Sequence, residues 1–313
     1  MVGNVFRCRV ERRWEQMRLG NQMAGKTIGF IGLGMMGAPM CACLVKSGFR
    51  LLVADADQAR IKTICDELAV APLTKDVAAE VDVLITMLPN SKIVETVLLE
   101  NGWAASLRKG ALVIDMSSSE PVRSRELAAT LEAQGLDYLD APVSGGVKRA
   151  KEGTLAILVG GKETVKTETM PVLEAMGGSI LFIGPAGSGH AAKALNNFVS
   201  ACGLMVTVEA LHVAQRFGIS PEAMTDVLNA SSGKSNTSEN KVKQFMLSGT
   251  YGSGFSLHLM DKDLGIARAL AQSVDYPLTF GRNGIDLWHE QAGEVGPTAD
   301  HTEMYRLLEQ EQS

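Results

Sequence analysis

Short apolar runs alternate with stretches of helical periodicity through residues 26–186. Seven of these runs predict β-strands, at 27–31, 51–54, 81–88, 111–116, 138–142, 155–159 and 180–183. Most of the runs are separated by apolar residues at helical spacing, as in 58–68 and 122–134. The segment 83–85 is continuously apolar, which is typical of a strand buried on both faces. The alternation predicts an α/β domain with a doubly wound, mostly parallel sheet.

The pattern changes at residues 184–187, and the chain beyond them carries no clear strand signal. Residues 190–216 predict one long helix. Further helices are predicted at 221–229, 240–247 and 259–273 and near the C-terminus, with a polar loop over 231–240. The sequence therefore predicts an α/β domain over 23–186 and an all-α domain over 187–313, joined by the long helix.

The first 22 residues differ from the rest of the chain. They are rich in arginine and lack the apolar stretch of a secretory signal. Glu11 and Glu15 argue against an organellar presequence. We interpret residues 1–22 as a non-core extension from an upstream start codon, with Met23 as the natural start.

Charge and cysteine content restrict the surroundings of the protein. A net charge of −5 over 313 residues argues against nucleic acid as a partner. Five scattered cysteines without a CxxC pair predict reduced thiols and a cytoplasmic location, and no metal site is expected. The longest apolar stretch, 198–208, is much shorter than the roughly 20 residues of a membrane span.

A glycine-rich segment follows the first predicted strand. Gly32-Leu33-Gly34-Met35-Met36-Gly37 is a GxGxxG motif, with a strand before it and a helix after it. Such a turn brings the backbone and a helix N-terminus close to a pyrophosphate, whereas the motif alone is also compatible with an ordinary turn. In this context we assign a dinucleotide site to Gly32, Gly34, Met35, Met36 and Gly37.

An acidic residue follows the motif at the expected distance. Asp55 ends the second predicted strand, 18 positions after Gly37. A carboxylate there accepts hydrogen bonds from ribose hydroxyls and repels a 2′-phosphate, so we expect NAD to be preferred, although NADP stays open. Arg50 and Arg60 lie close enough in sequence to weaken that preference. The alternative role of Asp55 is that of a helix N-cap or a turn aspartate.

Four segments, in this order, resemble the β-hydroxyacid dehydrogenases, a family that includes 3-hydroxyisobutyrate dehydrogenase and tartronate semialdehyde reductase. They are 29–40 around the glycine motif, 140–146 (Asp-Ala-Pro-Val-Ser-Gly-Gly), 187–197 and 262–264 (Lys-Asp-Leu). The resemblance covers residues 26–306. It implies an N-terminal Rossmann domain, a long connecting helix and a helical substrate and oligomerisation domain. It also implies a homodimer or homotetramer that moves a hydride between NAD(H) and a small 3-hydroxy acid or its semialdehyde.

Two residues of the third segment are implied to be catalytic. Lys193 is the expected general acid/base, because burial lowers the pKa of a lysine toward the working pH. Asn197 lies one helical turn later and is expected to orient the substrate or Lys193. By spacing alone, the pair would be a surface lysine with a nearby asparagine, and the resemblance decides for catalysis.

The second segment is the expected substrate site. Ser144, Gly145 and Gly146 follow a buried strand, and the backbone N–H groups of such a turn can bind a carboxylate. A simple strand-ending turn is the alternative. By resemblance, Lys262 in the fourth segment contacts the cofactor.

Two further turns lie at carboxyl ends of predicted strands, where doubly wound folds bind ligands. The resemblance assigns Leu88, Pro89 and Ser117 in these turns to the nicotinamide side of the cofactor. Turn formation and helix capping are the alternative roles of these three residues.

The chain departs from the family pattern at two positions. Arg149 stands where family members commonly have glycine, and it either adds an anion contact or faces solvent. Asn236 stands where 3-hydroxyisobutyrate dehydrogenases have tryptophan, which favours a more hydroxylated substrate. The alternatives for function are an imine-reductase-like enzyme, a non-catalytic dinucleotide-binding protein and a 6-phosphogluconate-type dehydrogenase.

Overall fold

The computed structural model describes residues 25–310, so the predicted extension over 1–22 lies outside the described residues. The strands are β1 Thr27–Ile31, β2 Arg50–Ala54, β3 Ala71–Pro72, β4 Val83–Thr86, β5 Leu112–Asp115, β6 Asp137–Asp140, β7 Val143–Ser144, β8 Leu155–Gly161 and β9 Gly177–Gly184. The helices that accompany them are α1 Gly37–Lys46, α2 Gln58–Leu68, α3 Ser91–Glu95, α4 Trp103–Ser106, α5 Pro121–Ala133, α6 Gly146–Glu152 and α7 Glu163–Glu174.

The strands form one sheet, in the order β3-β2-β1-β4-β5-β6-β8-β7, with β9 paired to β8. Pairing is parallel from β3 through β6, and β8 runs antiparallel to β6 and β7. All seven predicted strands are present, and the Rossmann-type prediction is confirmed. Strands β3 and β7 were not predicted, because two residues are too few to show a periodic pattern. From β1, the strand order continues to β2 and β3 on one side and to β4, β5 and β6 on the other. Doubly wound folds bind ligands at the point where this order changes direction, here between β1 and β4.

Alternate residues of the central strands enter two separate apolar clusters. Ile28 and Phe30 of β1 belong to one cluster, and Ile31 belongs to the other. Ile85 and Leu84 of β4 divide in the same way, and all of these side chains are buried. Burial on both faces explains why these strands are continuously apolar rather than alternating.

The chain divides into two compact units, the first ending at Lys193 and the second beginning at Ala194. The division falls within the long helix α8, Ser188–Phe217, whereas the sequence placed the domain boundary at 186/187. The other helices of the second unit are α9 Pro221–Ala230, α10 Asn236–Asn240, α11 Leu257–Ser273, α12 Gly281–Gly293 and α13 Met304–Gln310. A π-helix at Val242–Met246 and 3-10 turns at Lys75–Glu80 and His301–Glu303 complete the regular structure, with a second π-helix at Thr96–Glu100.

The all-α prediction for the second half is confirmed, but the predicted polar loop over 231–240 is partly wrong. Its last five residues form α10, which begins at a capping box of Ser235 and Ser238. Two reciprocal hydrogen bonds define this helix start. The five residues of the helix are all polar, so they show no apolar periodicity. Asn236 is the first residue of α10 and is exposed.

Helix α8 has the length and composition to cross a membrane, a test that core helices also pass. In its most apolar window, 44% of the residues are buried inside the protein. The part of α8 in the second unit contributes Ala201, Leu204 and Val208 to an apolar core that also contains the fully buried Trp288.

Candidate active site

The glycine-rich turn has the close backbone contacts that its motif predicts. Gly32 has φ +105°, and a β-carbon there would lie 2.2 Å from the Met87 carbonyl oxygen. A β-carbon at Gly37 would lie 1.9 Å from the Gly32 carbonyl oxygen. At Gly34 a β-carbon would meet nothing within 4 Å, so this glycine leaves an open backbone surface. Two glycines permit close packing and the third faces open space, which fits a turn that receives a pyrophosphate.

Asp55 is tied directly to this turn. Its Oδ2 accepts a hydrogen bond from the Leu33 N–H at 2.6 Å, and its Oδ1 accepts one from the Asp57 N–H at 2.9 Å. The N-cap of α2 is Asp57, so Asp55 is not the helix cap, whereas its bond to the Asp57 N–H two residues later is that of a turn aspartate. Arg60 lies beside Asp55, with Nη1 3.8 Å from Oδ2. Arg50 is engaged elsewhere, because it pairs with Glu80 at 2.8 Å.

The turns after β4 and β5 are linked to each other. The Leu88 N–H donates to Ser117 Oγ at 2.9 Å, and Pro89 follows in the same turn. Ser117 is 1% exposed, and its own N–H donates to Asp115. A β-carbon at Gly32 would also lie 3.1 Å from Leu88 Cδ2. The structure therefore brings the predicted cofactor residues of three strand ends together beside the glycine turn.

Lys193 reaches the predicted substrate turn. Its Nζ donates a hydrogen bond to the Val143 carbonyl oxygen at 2.9 Å, and the residue is 9% exposed. Val143 lies in β7, directly before Ser144. Gly145 and Gly146 follow with φ +131° and +68°, values that favour glycine. The predicted general acid/base and the predicted substrate turn therefore meet in the first unit.

Asp140 lies in the second family-like segment, and the sequence pattern predicts no separate role for it. It is fully buried, and its carboxylate accepts hydrogen bonds from the Gly187 N–H at 2.7 Å and the His190 N–H at 2.9 Å. One donor directly precedes α8 and the other lies in its first turn, where N–H groups have no intrahelical partners. Asp140 therefore caps the helix that carries Lys193.

The His190 side chain joins two parts of the first unit. Its Nε2 lies 3.1 Å from the Ser117 carbonyl oxygen, and its Nδ1 lies 2.8 Å from Ser124 Oγ. The carboxylates of Asp115 and Asp140 lie 3.8 and 3.7 Å from the ring nitrogens. Since a carbonyl oxygen only accepts, Nε2 carries a hydrogen. The ring thus connects the Ser117 turn to α8, one helical turn before Lys193, and no local pattern predicts this contact.

Tyr138 lies near the same buried carboxylates. Burial, followed by the negative charges of Asp115 and Asp140, raises the pKa of Tyr138 well above its ordinary value. The phenol therefore stays protonated and neutral at working pH.

In the second unit, Asn197 is held by an acidic partner. Its Nδ2 donates to Asp263 Oδ2 at 2.6 Å, and the two residues are 8% and 3% exposed. Lys262 Nζ lies 3.8 Å from Asp263 Oδ1. Asp263 thus brings the predicted Asn197 and Lys262 together. The sequence pattern predicts no separate role for Asp263.

Two family models match consecutive parts of the chain. Residues 27–184 match the NAD binding domain of 6-phosphogluconate dehydrogenase. Residues 187–308 match a model described as NAD-binding of NADP-dependent 3-hydroxyisobutyrate dehydrogenase. The second match is to the hydroxyisobutyrate enzyme. The family models therefore do not support the 6-phosphogluconate-type alternative for the second domain.

Curated relatives and solved structures agree with the second model. The 2-(hydroxymethyl)glutarate dehydrogenase of Eubacterium barkeri is 40% identical over 253 residues, covering 80% of this chain and 84% of that protein. The mitochondrial 3-hydroxyisobutyrate dehydrogenase of Rattus norvegicus is 36% identical over 304 residues, covering 93% and 90%. A Mycobacterium tuberculosis 3-hydroxyisobutyrate dehydrogenase structure, described with L-serine, has a TM-score of 0.85 at 34% identity, covering 90% and 99%.

These relationships support the dehydrogenase interpretation, and they do not support the imine-reductase-like or non-catalytic alternatives. The cofactor is NAD, with an NADP-dependent enzyme also named among the matches. The chain belongs to the β-hydroxyacid dehydrogenase family of NAD-binding oxidoreductases, which act on a hydroxyl group.

Proposed function

We propose that this enzyme oxidises a small 3-hydroxy acid to its semialdehyde and catalyses the reverse reduction, with Lys193 as the general acid/base. The observation that carries the proposal is the buried Lys193 Nζ, 2.9 Å from the carbonyl oxygen that precedes the Ser144–Gly146 turn. NAD, when bound, accepts the hydride that leaves the hydroxyl-bearing carbon. Lys193 takes the hydroxyl proton in oxidation and returns it in reduction.

The remaining site residues bind and orient. The N–H groups of the Ser144-Gly145-Gly146 turn and the Ser144 hydroxyl bind the substrate carboxylate. Asn197, held through its Nδ2 by Asp263, presents a fixed amide one helical turn after Lys193. An amide that is already hydrogen-bonded loses little further freedom on binding, so it orients a substrate at low entropic cost.

For the cofactor, we propose contacts at the strand ends of the first unit. Gly32, Gly34, Met35, Met36 and Gly37 hold the pyrophosphate, and Asp55 holds the ribose. Leu88, Pro89 and Ser117 lie along the nicotinamide side, and Lys262 is proposed as a further cofactor contact. The carboxylate of Asp55 favours NAD over NADP, since a 2′-phosphate would add a second negative charge beside it.

A substrate panel tests the proposed reaction. The relatives' names include a monocarboxylic substrate, 3-hydroxyisobutyrate, and a dicarboxylic one, 2-(hydroxymethyl)glutarate. These two acids, with glycerate, threonate, 4-hydroxybutyrate and 3-hydroxypropionate, are assayed with NAD and with NADP. We expect NAD-dependent turnover of at least one 3-hydroxy acid. Absence of turnover with every acid would overturn the proposed function.

We also propose that two or four copies assemble through α8. In the second unit, this helix exposes an apolar stripe whose members lie four or seven residues apart and so share one face. They are Leu195, Val199, Val206, Val213 and Phe217, with exposures of 43, 68, 49, 68 and 85%. A second copy of the chain would remove this stripe from water.

Light scattering after gel filtration measures the assembly. We expect the wild type to have the mass of a dimer or a tetramer. The variant Val206→Glu places a charge in the stripe and should lower the measured mass. A monomer that floats with lipid vesicles would instead assign the stripe to a membrane.

The free cysteines of residues 25–310 favour a reducing compartment, and we propose the cytoplasm, which cell fractionation tests.

A further inference from the structure

Arg149 lies over the predicted substrate turn. It belongs to α6, which begins directly after Gly145. A β-carbon at Gly145 would lie 2.4 Å from Cδ and 2.9 Å from Cβ of Arg149. The aliphatic part of the arginine side chain therefore packs on the α-carbon of Gly145. The side chain thus folds back over the turn, and the residue is exposed.

Within the described part of the chain, the guanidinium group of Arg149 has no polar partner. Among residues 25–310 it forms no hydrogen bond or ion pair, and the residue is exposed. The other arginines of this range each have a polar partner. At Arg123, for example, the partner is Glu95, which raises the pKa of the guanidinium chiefly through their hydrogen bond. Arg149 thus combines a side chain anchored by its stem with an unpaired charge.

The Arg149 stem and Lys193 contact the same short segment of the chain. Lys193 Nζ contacts the carbonyl oxygen of Val143, and the Arg149 stem covers Gly145, two residues later. Since consecutive α-carbons are about 3.8 Å apart, Val143 and Gly145 are separated by at most about 7.6 Å. A substrate that reacts at Lys193 and occupies the Ser144–Gly146 turn would therefore lie next to the residue on which Arg149 packs.

We propose that Arg149 determines specificity by binding the second carboxylate of a dicarboxylic 3-hydroxy acid. This rests on the proposed function, in which the first carboxylate occupies the Ser144–Gly146 turn. A guanidinium forms paired, planar hydrogen bonds with a carboxylate, and this geometry distinguishes a carboxylate from a hydroxyl or a methyl group. The substrate class that this contact favours is thus a dicarboxylic 3-hydroxy acid rather than a methyl-bearing monocarboxylate.

Two matched substrates isolate the second carboxylate. 2-(Hydroxymethyl)glutarate and 2-(hydroxymethyl)pentanoate have side chains of equal length, ending in a carboxylate and a methyl group. We expect wild-type kcat/KM to be higher for the dicarboxylate. Arg149→Gln, which shortens the side chain and removes the charge, should reduce the ratio of the two kcat/KM values about tenfold, as for loss of one partly exposed ion pair with good geometry. Calorimetric binding of glutarate to the NAD complex should weaken in parallel.

Lys151→Gln is the matched control, because Lys151 is an exposed cation on the same helix. We expect this variant to keep the wild-type ratio. A ratio unchanged in Arg149→Gln, or lowered equally by Lys151→Gln, would overturn a specific contact of Arg149. If the wild type oxidises neither acid and no other member of the panel, the proposed function itself fails, and weakened glutarate binding still tests Arg149 separately.

Discussion

In the first unit, both ring nitrogens of the buried His190 lie within hydrogen-bond distance of protein atoms. In the second unit, the buried His301 has its Nδ1 3.0 Å from the Phe255 carbonyl oxygen, but its Nε2 has no partner among residues 25–310. The comparison separates two uses of a buried imidazole. A fully bonded ring joins two backbone segments and fixes their geometry, whereas a partly bonded ring carries a desolvation cost that depends on its charge.

The charge of His301 is controlled by its surroundings. Burial, followed by the nearby positive charge of Lys241, lowers the pKa of His301 to about 4, against the opposing effect of Asp300. Burial also lowers the pKa of Lys241. The second unit therefore contains a neutral histidine that must gain a buried charge when the pH falls.

The largest expected effect concerns Lys193, the proposed general acid/base, which the first unit holds by its hydrogen bond to Val143. Lys193→Ala should lower kcat by ~10²–10⁴-fold, because the reaction loses its general acid/base. Lys193→Arg should fail nearly as badly, since a guanidinium keeps its proton. The measurement is steady-state kinetics with the best acid of the panel, combined with NADH binding by fluorescence titration.

NADH binding is the control for this prediction, and it should change little because the pyrophosphate and ribose contacts are assigned to the glycine turn and Asp55 rather than to Lys193. Wild-type kcat in Lys193→Ala would make Lys193 a structural residue. Lost NADH affinity at unchanged kcat would make it a cofactor anchor.

The next effect tests the second unit's histidine by pH. The pKa of His301 is lowered on folding from 6.5 to about 4, so the unfolded chain binds the proton more readily between these values. Its contribution to stability is present above pH 6.5 and is lost as the pH falls toward 4. A shift of about 2.5 pKa units corresponds to about 3 kcal/mol in the free energy of unfolding. His301→Gln should flatten this part of the pH profile, measured by chemical denaturation from pH 7 to pH 4.5.

His289→Gln provides the matched control in the same unit, because the His289 side chain is 78% exposed. Its pH profile should follow the wild type. If stability in His301→Gln depends on pH as steeply as in the wild type, another group causes the acid destabilisation. The partly bonded ring of His301 would then carry no measurable energetic cost.

A smaller effect tests whether His190 positions the site. His190→Gln can place an amide nitrogen near the position of Nε2 and keep the bond to Ser117, whereas His190→Asn can replace only Nδ1 and its bond to Ser124. Releasing the Ser117 turn should lower kcat about 10–100-fold in His190→Asn, since small misplacements of reacting groups are costly. The Gln variant should stay closer to wild type.

The relevant readout is kcat with the isotope effect on hydrogen transfer, alongside the melting temperature of both variants. A positioning role predicts different kcat values in two variants of similar stability. Equal kcat values with equally lowered melting temperatures would reduce His190 to a packing residue.

The smallest effect concerns cofactor choice at the glycine turn. Asp55→Ala should narrow the preference for NAD over NADP by about tenfold, the scale of one charged hydrogen bond. Arg60, 3.8 Å from the carboxylate, then faces the 2′-phosphate without competition. The ratio of kcat/KM values for NAD and NADP is the measurement, and a wild-type preference for NADP would contradict the assigned role of Asp55.

The residues that could be predicted from sequence are those with a local pattern. Strands of four or more residues, the long helix α8 and the glycine turn all follow from spacing along the chain, because burial and backbone geometry act over neighbouring residues. Lys193 and Asn197 were found through resemblance, since a lysine and an asparagine one turn apart have no distinctive pattern.

Only the tertiary structure decided which distant groups meet. Sheet order brings Leu88 to Ser117, 29 residues away, and Asp140 to the start of α8, about 50 residues away. Helix packing in the second unit brings Asn197 to Asp263, 66 residues away. Arg149 was readable as a departure from the family pattern, but its stem contact with Gly145 depends on the left-handed turn between them. A side chain's type is written in the sequence, whereas its partner is set by the folded path of the backbone, and that partner determines whether its charge is neutralised or available to a substrate.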